Sequence, residues 1–311
     1  MADLNRLLRQ RKTFTAAFVA AAGSFMLGVV LPMNLRVHHM VQVLAIAQPQ
    51  KPLAIPDVLK VTAAVEERVE DAEKEIALME EQRFSLLIPP QFLGATVTQA
   101  KLASKQKAIA LTFDDGPWPE TTVKILDILK KNDIKATFFW VGRYLKTYPE
   151  LGKKVAAAGH AIGNHTWNHQ YFKYSNDAAA KEIDRTSSLI EEVTGIKISM
   201  FRPPGGILTN GLADYAWKQK YAVVMWSVDS LDWRNSMQSL KDNVLRQASS
   251  GGIVLMHDGG GNRSKTVEAL PNIIAELKKR KYKFVTVPEL LQMQDKGSKE
   301  QKIAQDVDAV N

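Results

Sequence analysis

"AIALTFDDGP", residues 108–117, is an apolar run that stops on two adjacent carboxylates, Asp114 and Asp115, followed at once by Gly-Pro. A short continuous apolar run bounded by turn residues reads as a strand buried on both faces, the kind found in parallel sheets covered by helices. Asp-Asp-Gly-Pro is turn chemistry, since Asp bonds its own backbone, Gly takes positive φ and Pro fixes φ. Solvated turn aspartates are the plain reading. A cation shared with side chains from elsewhere in the chain is the other, and it would explain why two like charges sit together.

The pattern repeats along the chain. Strands are expected at 108–113, 136–141, 161–164, 199–202, 222–226, 252–256 and 283–287. Between them lie helix-period segments such as "PETTVKILDILKKN" (119–132), "NDAAAKEIDRTSSLIEEVTG" (176–195) and "SKTVEALPNIIAELKKRK" (264–281). Apolar strands alternating with helices predict an α/β fold, here a distorted (β/α)7 TIM-like barrel, with an open doubly wound sheet as the alternative. No Gly-x-Gly-x-x-Gly follows the first strand, which speaks against dinucleotide binding.

Unusual polar residues fall just after strand ends. Asp114 and Asp115 follow the first strand, His165 and His169 the third, Arg202 closes the fourth, Asp229 and Asp232 follow the fifth, and His257 with Asp258 follows the sixth. In a parallel barrel all these ends open on one mouth, where active sites sit. "HTWNH" (165–169) sets two imidazoles four residues apart, close enough in a helical turn to share an ion. The chain has no cysteine, which excludes disulfides, thiolate zinc sites and cysteine nucleophiles, so a metal must be held by His and carboxylate. One of Asp114 and Asp115 completes a two-His, one-carboxylate set, and the other serves as a base toward water.

"TFDDGP", "HTWNH", "RPPGG" (202–206), "DSLDW" (229–233) and "LMHD" (255–258) stand in the order and spacing of the five motifs of NodB-like polysaccharide deacetylases, carbohydrate esterase family four, which the chain resembles over roughly residues 106–292. The resemblance implies a distorted barrel of about seven strands and hydrolysis of N-acetyl groups on a glycan, with release of acetate. It implies that Asp114 is the general base and that Asp115, His165 and His169 hold a divalent metal, usually zinc. Arg202 is implied to orient the base. His257 is implied to be the general acid, its ring held by Asp232, while Trp233 and Leu255 enclose the acetyl methyl. Many members carry Tyr where this chain has Gly205, whose backbone N–H is implied to serve the oxyanion. Asp229 and Asp258 receive no direct chemical role, and His160 is expected at a cap or on the surface.

The remaining segments bear on location. Arg6, Arg9, Arg11 and Lys12 precede "FTAAFVAAAGSFMLGVVLPM" (14–33), twenty residues without a charge and long enough for a helix to cross a bilayer. A membrane signal-anchor is expected over residues 1–35, the alternative being a secretory signal cleaved near Ala47. Residues 36–88 hold a linker and an amphipathic helix whose apolar stripe runs over 58–79, either packed on the next domain or self-associating as a stalk through residues 56–84. A linker over 89–105, the catalytic domain at 106–292 and a polar tail at 293–311 complete the expected organisation. The net charge of +8 is uneven: residues 56–85 carry nine acidic and four basic side chains. A basic globular part suits an anionic polymer. No basic motif interleaved with aromatics argues for nucleic acid, and within a bacterial cell envelope the expected partner is an N-acetylated glycan, peptidoglycan first. Glycoside cleavage by paired carboxylates and a non-catalytic glycan-binding barrel are the competing classes.

Overall fold

The computed structural model describes residues 67–74, 86–234 and 236–308. The expected anchor at 14–33, the signal site near Ala47 and most of the stalk lie outside the described residues. Among the described residues, no helix is long and apolar enough to cross a membrane. Residues 67–74 are helical with all eight side chains exposed, and Lys74 pairs with Glu70 at 2.8 Å across one turn.

Residues 86–308 build an α/β unit around a parallel sheet. Its strands are β1 (Thr96–Val97), β2 (Ala108–Asp114), β3 (Thr137–Trp140), β4 (Ala161–Asn164), β5 (Met200–Phe201), β6 (Ala222–Val224), β7 (Val228–Asp229), β8 (Gly252–His257) and β9 (Lys283–Phe284). The helices are α1 (Pro119–Lys131), α2 (Gly142–Thr147), α3 (Pro149–Ala157), α4 (Asn176–Thr194), α5 (Leu212–Lys218), α6 (Met237–Gln247), α7 (Ser264–Lys279) and α8 (Val287–Asp308). The order β1-β6-β5-β4-β3-β2-β8-β7 makes an interrupted ring of seven staves, β2 to β8, open between β6 and β7. The gap is spanned by the segment before β2: β1 pairs with β6, and Gln99 bridges antiparallel to Gly252.

All seven expected strands are present, but the seventh is not a stave. β9 pairs with the first two residues of β2, whose far half on that edge belongs to β3. The seventh stave is β7, two residues long, too short to leave a periodic signal. Residues 89–105, expected as a linker, are packed into the domain: Phe92, Val97 and Ala100 are buried with Ile88. The polar tail also differs. α8 runs through it to Asp308, with a local pair of Lys299 and Asp295 at 2.7 Å across one turn.

Alternation along β2 explains the core. Ile109, Leu111 and Phe113 face the helices with Phe138, Trp140, Val254 and Met256, whereas Ala108 and Ala110 face inward with Phe139, Ala161 and Ile253. Burying each of the large outward side chains contributes roughly 1.5–3 kcal/mol. Small inward residues leave room for Phe92, Leu290 and Leu291, which join this inner cluster from the segment before β2 and from α8. Thr112 and Asp114 continue the inward row, so the strand delivers its first carboxylate into the mouth.

Candidate active site

The ends of β2, β4 and β8, with the segments after β5 and β7, surround a cavity of about 620 Å³ that Asp114, Asp115, His165, His169 and His257 line together. Five segments distant in sequence thus converge on one mouth, as the positions of the polar residues imply.

Asp114 is held from inside the barrel. Arg202, fully buried, donates from Nη1 to Asp114 Oδ1 at 2.6 Å and to Thr112 Oγ1 at 2.8 Å. Its Nε and Nη2 donate to the carbonyls of Val224 (2.9 Å) and Met225 (3.1 Å). Burial pulls the Arg202 pKa down while the Asp114 charge opposes the fall. A buried guanidinium is tolerated when it is paired and its donors are used. The carboxylate's orientation is therefore set by a rigid interior contact.

The second carboxylate turns outward. Asp115 sits at φ 73°, a left-handed backbone that Asp tolerates better than most residues. Its Oδ1 lies 3.1 Å from His169 Nε2 and 3.5 Å from His165 Nε2. The donor atoms of Asp115, His165 and His169 all lie within 4.8 Å of one another. His165 Nδ1–H donates to the Arg202 carbonyl at 2.7 Å, which fixes the tautomer and leaves the Nε2 lone pair facing Asp115. Asp115 Oδ1 is buried without a hydrogen-bond partner, so a cation among these donors would satisfy an otherwise orphaned atom. The residues present fit a divalent metal of the kind that takes imidazole and carboxylate. Burial raises the Asp115 pKa, but the neighbouring His165, His169 and His257 imidazoles outweigh it and hold the carboxyl far below its usual range. Burial and His165 push His169 down to about 4, so its ring is neutral, the form a ligand needs.

The two histidines do not share a helical turn. Residues 165–169 form an irregular loop with Thr166 at φ 68° and His169 at φ 55°. Side chains stabilise this backbone: Asn164 Oδ1 accepts from Thr166 N at 2.8 Å, and Thr166 Oγ1 from His169 N at 3.0 Å. Glu182 on α4 accepts from the N–H groups of Trp167 and Asn168 at 2.9 and 2.8 Å. The loop brings the ring centroids to 4.8 Å. Strained φ values held by such bonds concentrate at functional sites.

His257 stands on the other flank. Its Nδ1–H donates to Asp232 Oδ1 at 2.7 Å, and Thr266 Oγ1 donates to Asp232 Oδ2 at 2.8 Å. Burial disfavours the imidazolium, but Asp232, Asp115 and Asp114 outweigh it and lift His257 to about 9. The Asp232 pKa is raised by burial yet ends lowered, because His257 and Thr266 bond its charged form. Leu255 and Trp233 line the cavity, Leu255 buried and Trp233 more than half exposed. Gly205 lines it too, and its N–H has no hydrogen-bond partner among the described residues.

One residue differs from its expected place, and others take parts that were not expected of them. His160 is buried, accepts from Ala136 N at 3.1 Å and is pushed down to about 4 by burial, so it is a neutral core histidine rather than a cap. Asp258 is fully buried, takes the Thr122 hydroxyl at 2.6 Å, and is raised to about 7 by burial and by the Asp115 and Asp114 charges. Its carboxylate fills the space beside Gly116, where a Cβ would come within 2.3 Å of Oδ2, so the turn after β2 requires glycine. Arg263 was missed: nine-tenths buried, it ties the carbonyls of Gly259 and Gly260 and lies 3.9 Å from Asp115 Oδ2. Glu182 and Thr266 were missed as well, because helix positions give no local sign of reaching a mouth. Thr112 did leave a sign, a lone polar residue two before Asp114 and on its face.

A family model described as "Polysaccharide deacetylase" matches residues 101–224. The chain is 42% identical over 194 residues to a peptidoglycan-N-acetylglucosamine deacetylase of Bacillus cereus, covering 61% of this chain and 91% of the relative. It is similar to the crystal structure of the Bc1960 peptidoglycan N-acetylglucosamine deacetylase with a TM-score of 0.60 at 37% identity, over 63% of this chain and 92% of that one. It is also similar, with a TM-score of 0.58 at 33% identity over 66% of this chain and 70% of the other, to BA3943 of Bacillus anthracis, described as a CE4 family pseudoenzyme. With sequence, topology and the arrangement of the mouth in agreement, the chain belongs to the polysaccharide deacetylase family, the NodB-like carbohydrate esterase family four.

Proposed function

We propose that the protein is a metal-dependent N-deacetylase of peptidoglycan amino sugars. Family membership alone does not carry this, since one similar structure is a pseudoenzyme. The observation that carries it is a complete set around one cavity: a three-donor cluster with the Arg202-bound Asp114 beside it and the Asp232-bound His257 also on its wall. Relatives whose names specify peptidoglycan support the choice of polymer.

When bound by Asp115, His165 and His169, a divalent cation supplies a Lewis acid for the acetamide oxygen and lowers the pKa of water. Asp114 takes the proton of the attacking water at Oδ2, the oxygen that Arg202 leaves free. The Gly205 N–H is an unused donor in the mouth and serves the oxyanion that forms. His257 gives a proton from Nε2 to the departing nitrogen, because its Nδ1 is committed to Asp232. An amine leaves poorly without that proton, and general acid catalysis of this kind contributes ~10²–10⁴-fold. Leu255 and Trp233 border the space for the methyl.

A pH dependence follows. The acid must be protonated, so kcat/KM holds through neutral pH and falls as pH rises through about 9, the His257 value. Replacing Asp232 by Asn removes the charge that lifts His257, and the alkaline limb then moves to lower pH. A limb that stays in place in the pH–rate profile of that variant removes His257 from the acid role.

In the same reading the domain acts in the cell envelope, tethered by the basic and apolar N-terminal residues 1–35. The direct test is acetate release from peptidoglycan by the full-length protein, after chelation and again after zinc is restored. Release that vanishes with chelation and returns with zinc supports the reading. Release indifferent to metal, or none from peptidoglycan with zinc present, overturns it.

A further inference from the structure

"PPGG" (203–206) turns through two left-handed glycines, Gly205 at φ 61° and Gly206 at φ 69°. Both are walled by rings. A Cβ on Gly205 would come within 2.9 Å of Tyr171 Cε1, and one on Gly206 within 2.8 Å of Trp226 Cη2. Tyr171 comes from the loop after His169, against whose imidazole its ring stands edge-on at 5.3 Å. It lines the same cavity and is more than half exposed. An exposed aromatic that touches both a member of the donor cluster and the turn carrying the free N–H is not serving the core.

We propose that Tyr171 is a substrate-positioning residue, its ring seated on Gly205 to form the wall on which the acetamido sugar stacks. The inference rests on the deacetylase reading and deepens it. A pyranose presents one apolar C–H face and polar edges. A tyrosine ring offers a rigid apolar face with a polar tip, at little cost in side-chain entropy. Contact with Gly205 on one side and His169 on the other registers that face against the cluster and the free N–H, so stacking fixes where the carbonyl lies. Glycine at 205 leaves its Cβ volume to the Tyr171 ring.

The test compares wild type with Tyr171→Ala and Tyr171→Phe in the full-length, zinc-loaded protein, using a tetramer of N-acetylglucosamine as probe. KM for acetate release is expected to rise about tenfold in Tyr171→Ala, a size set by aromatic contacts of this kind, with kcat changed far less. Tyr171→Phe, which keeps the ring, is expected to stay near wild type. Calorimetric titration of the same tetramer in an Asp114→Asn background reads the Kd without turnover, and Tyr171→Ala is expected to weaken it by the same factor. An unchanged Kd overturns the proposal whether or not the enzyme turns over. A weakened Kd that comes with loss of zinc binding also overturns it, because Tyr171 would then be supporting His169. Absence of acetate release from wild type on every glycan overturns the deacetylase reading instead, and the titration still decides the role of Tyr171.

Discussion

Asp114→Asn lowers kcat/KM for acetate release by ~10³-fold or more while zinc binding persists, because general-base catalysis contributes ~10²–10⁴-fold and the three donors belong to Asp115, His165 and His169. The amide keeps an acceptor for Arg202 but cannot take a proton from water. It also leaves a fully buried guanidinium without its countercharge, so turnover has to be measured where circular dichroism shows the variant folded. Near-wild-type turnover in a folded, zinc-loaded Asp114→Asn protein would transfer the base role elsewhere. Loss of zinc together with turnover would instead add Asp114 to the donor set of Asp115, His165 and His169.

The second large effect is on stability. Arg202→Met is expected to destabilise the fold by about 3–5 kcal/mol, the cost of leaving one member of a buried ion pair unpaired. The loss has three sources: Asp114 loses its countercharge, Thr112 loses a donor, and the carbonyls of Val224 and Met225 lose theirs. Urea unfolding measures it through the midpoint at constant slope. The double variant Arg202→Met, Asp114→Asn is expected to recover part of the loss, since no buried charge then remains unpaired. Additive losses in that cycle would mean the pair is not coupled, and the packing of the guanidinium over Phe139 at 4.1 Å would be its main contribution.

The residue row from Ala108 to Asp115 shows where legibility stopped. That β2 is buried on both faces, and that its end faces a mouth shared with His165, His169, Arg202 and His257, follows from apolar continuity and from the repeated placement of polar residues after strands. Those are local signals, written within a few residues. The glycine after Asp115 was legible as turn chemistry, yet its necessity was not, because the obstacle is the Asp258 carboxylate more than a hundred residues away. Thr112 carried a period-two signal. Arg263, Glu182 and Thr266 carried none, since each acts from a helix or its edge onto a loop, and helix periodicity reports only the face turned to the core.

Sequence by itself determined the α/β class, the number and order of the long strands, the residues gathered at the mouth and the absence of thiol chemistry. Each of these depends on residue type and spacing. Tertiary structure decided which strand closes the ring, that β9 stands aside, that residues 86–105 pack into the domain, and that the histidine pair meets on a strained loop rather than a helical turn. It also decided which carboxylate faces the cluster and which faces Arg202. Adjacent aspartates are alike as residues, and only the inward row of β2 and the left-handed turn at Asp115 send one into the barrel and the other out to the histidines.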